Sequence, residues 1–549
     1  MAGAIQHTEN WKTLPWKQFQ RNVYRLQQRI YQATRRGDWK RVHNLQRLLL
    51  RSWSARCLAV RQVTQDNRGK RTPGVDGVAS LTPKKRMALT KTLRDRSSWT
   101  ADPIRRIYIP KPGRTEKRGL GIPTMRNRAV QVLVKQALEP EWEARFEPNS
   151  YGFRPGRSTH DAIEAIFKFI SLKPKYVLDA DIEKCFDRID HIALLVKLNA
   201  IEPVERLVRD WLKAGIVDKG EMIFPEAGTP QGGPISPLLA NVALHGLEET
   251  LTQATPKGCK LGVIRYADDL VILHPDLETL TKLKEHAEVW LAEMGLRLKP
   301  SKTRITHTLE QHEGQVGFDF LGFTVRQYRV GKHRTRICRG QTGFKTLIKP
   351  SKTAIKRHLH KIRNVIRQYR GGPQVALIAA LNPVIRGWSG YYRTCVAKRI
   401  FGRVDNQVYI KLRKWAYHRH RNKTRTWQYR RYWRKQQKGR RFSDGHIKMA
   451  RHEDMAIVRH IKVRGDKSPY DGDWLYWGLR LGRDPTKPRR VIRLLKREKG
   501  RCIWCGLCFK TEDVMEVHHW DGNRNNNWYA NLSLLHAHCH DQLHGQGCQ

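Results

Sequence analysis

Residues 262–273 read GVIRYADDLVIL, and few stretches leave a chain less choice. Two apolar runs enclose two adjacent acids, Asp268 and Asp269. The runs are short and rich in Val, Ile and Leu, so they read as buried strands with the acids at the turn between them. Like charges at such a turn repel. The placement becomes tolerable when a divalent cation sits between the carboxylates and a substrate. Hard cations such as Mg²⁺ take oxygen ligands and keep phosphate oxygens in their shell. Two of them can clamp the attacking and leaving oxygens of an in-line phosphoryl transfer. A third carboxylate is then expected from a neighbouring strand. In YVLDADIEKCFDRIDH, residues 176–191, an apolar strand ends at Asp181, where a hairpin packed alongside would bring Asp268 near. Asp179, two residues back on the same face, is the competing choice. YADD by itself is a weak pattern, since a solvated turn would also produce it.

Charge points to the partner. Lys and Arg number 105 against 50 Asp and Glu, a formal net charge of +55. Such a surface repels itself unless a polyanion neutralises it. A histone-like or ribosomal protein that only binds would fit the charge, but it needs no buried acids. At 549 residues the chain exceeds one hydrophobic core, so several domains are expected. Of the ten cysteines, those up to Cys395 are scattered and the rest cluster from Cys502 onward. That suggests a reducing compartment and a late metal site rather than a disulfide framework. The sequence has no apolar run long enough for a membrane span and no secretory pattern at its N-terminus. An intracellular protein is expected.

Between these landmarks lie other informative pieces. Residues 15–60 read as basic helices, and RTPGVDG, 71–77, as a turn-rich break. RRIYIPKPGRTEKRGLGIPT, 105–124, is a basic strand–turn–strand suited to gripping a triphosphate through Lys111 and Arg118. SYGFRPGRSTHDAI, 150–163, places Arg154 and Arg157 near a helix start. In GTPQGGPISPLLANVALHGLE, 228–248, the glycines allow close backbone approach to a ligand, and Gln231 can donate hydrogen bonds there. Residues 351–400 read as helical. From Gln407 to Ser443 there is no acid, and Arg and Lys are interleaved with Trp415, Tyr417, Trp427, Tyr429, Tyr432 and Trp433. RDPTKPRR, from Arg483, reads as a linker.

Taken in order, TPGVDG, IPKPGRTEKRGLGIPT, NSYGFRPGRSTHDAI, DADIEKCFDRIDH, GTPQGGPISPLLAN, RYADDLVIL, GLRLKPSKT and FDFLGF span residues 72–323. The set resembles a reverse transcriptase of the group II intron maturase family. The resemblance implies a right hand of fingers and palm followed by a helical thumb. It implies that Asp181, Asp268 and Asp269 form the metal-binding palm triad and that Phe186 is the aromatic excluding a ribose 2′-OH. It further implies that Gln231 lines the incoming dNTP, whose triphosphate Lys111 and Arg118 contact. Two departures are visible. The Lys111–Arg118 spacing is slightly longer than in some members, and Pro234 replaces a small aliphatic residue. Residues 381–420 resemble the family's maturase (thumb) domain, which implies a grip on group II intron RNA, while Trp388, Tyr391 and Tyr392 also suit a helical core. In the acid-free segment the length and the aromatic interleaving favour contact with DNA phosphates over a merely solvated face, with no base specificity.

The last stretch carries a second chemistry. Cys502-x2-Cys505 followed by His536-x2-Cys539 has the spacing of a tetrahedral Zn²⁺ site, with Cys508 able to replace one of the first pair. His518 and His519 are adjacent, and His540 and His544 share a helix face. With Asn531 between them, the pattern resembles an HNH (His-Asn-His) endonuclease, a ββα-metal fold. The resemblance implies that His519 is the general base, that Asn531 orients the loop and through it the base, and that His518, His540 and His544 hold a catalytic divalent ion. A structural zinc ribbon with spare histidines is the plainer alternative.

The expected whole is an α+β multidomain protein. Residues 1–80 form an N-terminal helical extension with the first fingers motif, 81–325 the fingers and palm, and 326–405 the α-helical thumb. Residues 406–490 form a basic DNA-binding segment and linker, and 491–549 the zinc-containing nuclease. The resemblance implies a mobile-element enzyme that copies RNA, nicks a DNA target and helps its intron splice, using Mg²⁺, structural Zn²⁺ and dNTPs. A splicing-only maturase is the alternative, although decay to that state would be expected to erode the acid triad. A retron or a diversity-generating element would not be expected to carry this thumb and nuclease together. The setting expected is the cytoplasm or nucleoid of a bacterium, with an organelle as the alternative.

Overall fold

The floor beneath the paired acids is a four-stranded antiparallel sheet. The computed structural model describes residues 10–110, 117–229, 232–331, 343–437, 439–510 and 513–546. Strands β1 (Ile104–Pro110), β2 (Lys117–Ile122), β4 (Ile216–Asp218) and β5 (Glu221–Ile223) make one sheet in the order β2-β1-β4-β5. Strands β3 (Tyr176–Asp181), β6 (Gly262–Tyr266), β7 (Asp269–His274) and β8 (Arg304–His307) make the other, in the order β6-β7-β3-β8. Leu270, Val271, Ile272 and Leu273 of β7 are fully buried, as a strand covered on both faces requires. Each such side chain contributes roughly 1.5–3 kcal/mol by leaving water, so the acid-bearing hairpin is anchored by its own apolar flanks.

The basic N-terminal helices are α1 (Trp16–Arg35), α2 (Trp39–Arg51) and α3 (Trp53–Arg61). Helix α4 (Pro83–Thr92) follows, and α5 (Met125–Arg145) packs against α1, α2 and α3. Ser52 caps α3 through the Ala55 amide, and Thr124 caps α5 through the Asn127 amide. Helix α6 (Thr159–Ile170), which lies against β6, opens with a capping box between Ser158 and Asp161. One hydrophobic core runs from Trp11 to Leu298 and joins α1 to α5 to the palm, while α6 packs in a second core with Val177, Ile264, Val271 and Leu273.

Beyond the palm, β9 (Phe318–Phe320), β10 (Phe323–Arg329) and β11 (Phe344–Pro350) form a small antiparallel sheet. Three long helices follow, Lys352–Gln368, Gln374–Tyr392 and Lys398–Arg419, around a core of their own. Within it His358 stacks on Trp388 and hydrogen-bonds His452, whose other ring nitrogen meets Asp405 at 2.6 Å. Burial and His452 push the His358 imidazole down to about 3. The hairpin β12 (Trp433–Gln436) and β13 (Gly439–Phe442) closes this region.

The chain then returns as a strap across the fingers and palm. Asp161, fully buried, accepts hydrogen bonds from His460 Nε2 at 3.0 Å, the Val463 amide at 2.8 Å and Arg480 Nη2 at 2.6 Å. Burial alone would raise this carboxyl, but His460 and Arg480 hold it well below the usual range. Removing one partner of such a buried pair typically costs about 3–5 kcal/mol. Tyr24 and Tyr470 extend the attachment, through Pro469 O and Glu139 respectively. The strap ends in a unit of helix Arg489–Arg497, strands β14 (Met515–His519) and β15 (Leu532–His536), and helix Ala537–Gln546. Arg61 of α3 pairs with Asp541 of that last helix at 3.0 Å, and Gln542 reaches Leu14 O. Among the described residues no helix is long and apolar enough to cross a membrane.

Candidate active site and metal centres

The register of the palm sheet brings the acids together. Strands β6 and β7 pair Tyr266 with Asp269, leaving Ala267 and Asp268 as a two-residue turn. On the other side β7 pairs with β3, which sets Asp181 directly opposite Asp269. The Ile182 amide donates to Asp268 O at 3.1 Å, so the turn is also tied to the strand end. Ala267 takes a left-handed φ of 57°. Gly152 crosses so close that a Cβ would collide with the backbone of Tyr266 and Ala267.

Electrostatics match the crowding. Burial, then Asp268 and Asp181, push Asp269 up to about 7. Burial and Asp181 also raise Asp268, while Arg118 and Lys302 act the other way. Asp181 accepts from Lys302 Nζ at 2.6 Å. Asp179, the competing choice, instead pairs with Arg304 at 3.5 Å. Burial and mutual repulsion disfavour ionised Asp268 and Asp269, and a divalent cation would relieve both.

Two residues that sequence reasoning passed over brace this turn. Arg265 is buried under the hairpin and donates to Asn241 Oδ1 at 3.0 Å. Asn241 in turn donates to Gly152 O at 2.8 Å. Lys302, inside GLRLKPSKT, is a third such residue. The signals were the Arg before YADD and the Lys of that motif.

Phe186 is half-buried, edge-on to Phe153 with ring centroids 6.0 Å apart. Gly228 lies against the carbonyl of Phe186, and the Thr229 amide donates to it at 2.5 Å. Arg118 lies on β2, near enough for its charge to favour ionised Asp268. Lys111 and Gln231 fall outside the described residues. Arg154 and Arg157 are buried against the chain itself. Arg154 forks onto Glu143 at 2.9 and 3.0 Å, and Arg157 donates to Pro148 O and to Gly465 O of the strap.

The C-terminal unit gathers two further donor sets. The ligand atoms of Cys502, Cys505, His536 and Cys539 all lie within 4.8 Å of one another, and all four residues are buried. Cys508 is not among them. Asp513 faces His536 Nε2 at 3.2 Å, a carboxylate able to fix that ring for a metal. His518 on β14 meets His540 and His544 of the last helix, again with donor atoms within 4.8 Å. Burial, His540 and His544 lower the His518 pKa, favouring the neutral, metal-binding imidazole. Glu516 holds His540 Nδ1 at 2.9 Å. His519 follows His518 on the strand, and its Nε2 has no hydrogen-bond partner among the described residues. Asn531 donates to Asp521 at 2.8 Å and to Asn526 O at 3.1 Å, stapling the loop between the strands.

In the acid-free segment, Trp415, Tyr432 and Trp433 are core residues. Tyr417 and Trp427 remain exposed, with Lys423 over the Trp427 ring at 5.7 Å. The interleaving therefore serves packing as well as surface.

Residues 109–325 match the family of reverse transcriptases (RNA-dependent DNA polymerases). Residues 11–93 match the N-terminal domain of reverse transcriptase, and 355–433 the group II intron, maturase-specific domain. Protein YkfC of Escherichia coli is 31% identical over 54% of this chain and 86% of its own length. Group II intron-encoded protein LtrA of Lactococcus lactis is 33% identical over 39% of this chain, but over only 36% of its own length. Maturase-like protein 1 of Euglena gracilis is 26% identical over 69% of this chain and 76% of its own.

Proposed function

The chain belongs to the group II intron reverse transcriptase/maturase family, and from that premise we propose that it copies RNA into DNA, assists splicing of its intron RNA and nicks a DNA target to supply a primer. The observation that carries the polymerase reading is the register of Asp181 against Asp269 with Asp268 at the adjoining turn. These three carboxylates would hold Mg²⁺, which supplies Lewis-acid stabilisation of the charge that develops during phosphoryl transfer. The protein's own part is placement. The apolar strands fix the acids, and Arg265 and Asn241 brace the turn from behind. Lys302 and Arg118 offset the negative charge. Phe186 would exclude a ribose 2′-OH, Gln231 would line the nucleotide, and Lys111 with Arg118 would receive the dNTP triphosphate.

In the same reading residues 1–80 and 81–325 do the copying, 326–405 grip intron RNA and 406–490 contact target DNA. Residues 491–549 would cut as an HNH nuclease. His519, whose Nε2 has no hydrogen-bond partner among the described residues, would take a proton from water, and Asn531 would hold its loop. His518, His540 and His544 would bind a divalent ion, while Cys502, Cys505, His536 and Cys539 would bind structural Zn²⁺. An intracellular, bacterial setting is proposed with it.

Primer extension on an RNA template with Mg²⁺, using the full chain beside Asp268→Ala, tests the reading. Extension that falls about 10³-fold or more in the variant would support the triad. No extension by a folded wild type that still binds RNA would favour the splicing-only maturase.

A further inference from the structure

One loop of the last unit carries exposed aromatic rings. It runs from Trp520 to Asn531 between β14 and β15, and it leaves the strand that holds His518 and His519. Trp520, Trp528 and Tyr529 are exposed on it, and Trp528, at 80%, is the most exposed large apolar side chain among the described residues. The loop is fixed at its root. The Trp520 amide donates to Asn531 O at 3.0 Å, and the Trp520 ring meets the His518 ring edge-on, centroids 4.9 Å apart. It is fixed at its tip as well. Asp521 accepts from Asn526 Nδ2 at 2.6 Å and from Asn531 Nδ2 at 2.8 Å. The Trp528 amide donates to Asn526 Oδ1 at 3.3 Å, and the Asn531 amide donates to Trp528 O at 2.9 Å.

These bonds turn the loop's amides inward. Asn523 Oδ1 accepts from the Asn525 amide, and Asn527 Nδ2 donates to Asn525 O, both at 3.0 Å. The Trp528 indole is the group left facing out. Among the described residues no hydrogen bond, ring or cation meets it, so a rigid backbone holds a bare aromatic face in water. The wall beside it is cationic. Arg489, Arg493 and Arg497 stand at i, i+4 and i+8 of helix Arg489–Arg497, all exposed on one face, while Leu494 and Leu495 are buried. That face abuts the loop. Arg493 lies over the Tyr529 ring at 4.9 Å, and Arg497 Nη1 donates to Tyr529 O at 2.5 Å. Guanidinium groups suit backbone phosphates, and a bare aromatic face suits a base. Both stand here beside the histidines to which the nuclease reading assigns the cut.

We propose that Trp528 stacks on an unpaired base of the DNA strand presented to these histidines, and that Arg489 and Arg493 hold that strand's phosphates. The consequence is a substrate class: DNA already opened at the cut, in preference to closed duplex. In a closed duplex each base face is covered by its neighbours. The indole reaches one only after a base step is unstacked, a cost that an opened strand spares. Stacking accepts any base, and the inward amides leave base edges unread, so this contact brings no sequence preference. The assignment rests on the nuclease reading above for its place in the reaction.

The test compares nicking by the full chain of a DNA duplex and of the same duplex with a short unpaired bubble at the site where it is nicked. At subsaturating DNA the wild type should nick the bubble about tenfold faster. Trp528→Ala should lose that preference at an unchanged melting temperature, and Trp528→Phe, which keeps a ring, should retain most of it. Arg489→Gln should slow both substrates alike and make the salt slope of binding shallower by about one. Equal wild-type rates on the two substrates, or a preference that survives Trp528→Ala, would overturn the proposal. If the wild type nicks neither substrate, the nuclease reading fails on its own, and binding decides the stacking. The fluorescence of 2-aminopurine in a bubble should then be quenched by the wild type and much less by Trp528→Ala, and equal quenching by the two would sink the idea. A Trp528→Ala effect seen only with an RNA strand would overturn the assignment to DNA.

Discussion

The palm acids stand on a four-stranded sheet joined to the largest core of the molecule, whereas the cysteines and histidines of the last unit stand on two strands and a helix. The core cluster of that unit has ten buried residues among those described, and three of them are Cys502, Cys505 and Cys539 themselves. In the palm, the scaffold is complete before any ion arrives, and the cost is stored as raised pKa values at Asp268 and Asp269. In the last unit the ligands are part of the interior, so an ion there would be part of the fold. On the proposed reading, one centre would add metal to a sheet with its own apolar core, and the other would be a small fold that metal completes.

Cys502→Ser, or a zinc-selective chelator with Mg²⁺ then restored, should break the comparison most sharply. Nicking should vanish and the amides of residues 491–546 should lose hydrogen-exchange protection, while primer extension persists. By contrast, Asp268→Ala should stop extension with no loss of protection in the palm. If Cys502→Ser leaves the unit protected, the fold does not depend on its thiolates.

A smaller effect separates chemistry from scaffold within the last unit. His519→Ala should slow nicking roughly 10²–10⁴-fold while the unit stays folded and polymerisation on a supplied primer is unchanged. Nicking at the wild-type rate would remove His519 as the base.

The smallest effect lies in neither centre. His358, buried against Trp388, has its pKa pushed down to about 3. Unfolded chain takes up that proton below about 6.5, and folded chain does not. Stability from this residue is therefore present above pH 6.5 and is lost as pH falls toward 3. A melting series for His358→Gln should fall less steeply over that window than the wild type. Parallel curves would mean that another group sets the slope.

What could be read in the sequence was whatever local periodicity controls. Asp181 and the Asp268–Asp269 turn were legible because strand ends and hairpin turns follow from short apolar runs. The grouping of Cys502, Cys505, His536 and Cys539 was legible from spacing. Arg154 and Arg157 were not, because an arginine reads the same whether it faces a phosphate or a buried Glu143. The aromatics of residues 407–443 read as surface because the cations between them hide a helical face, although Trp415, Tyr432 and Trp433 are core. Asp161 was invisible as a hub, since its partners His460 and Arg480 lie about 300 residues away.

The pairing of Arg61 with Asp541 has a consequence in time. The two residues are 480 positions apart. At about 5–20 residues per second, synthesis leaves α3 finished roughly half a minute to a minute and a half before the helix that docks on it exists. The palm, complete by about residue 300, is likewise made first. On the functions proposed here, a growing chain acquires the means to copy before the means to cut.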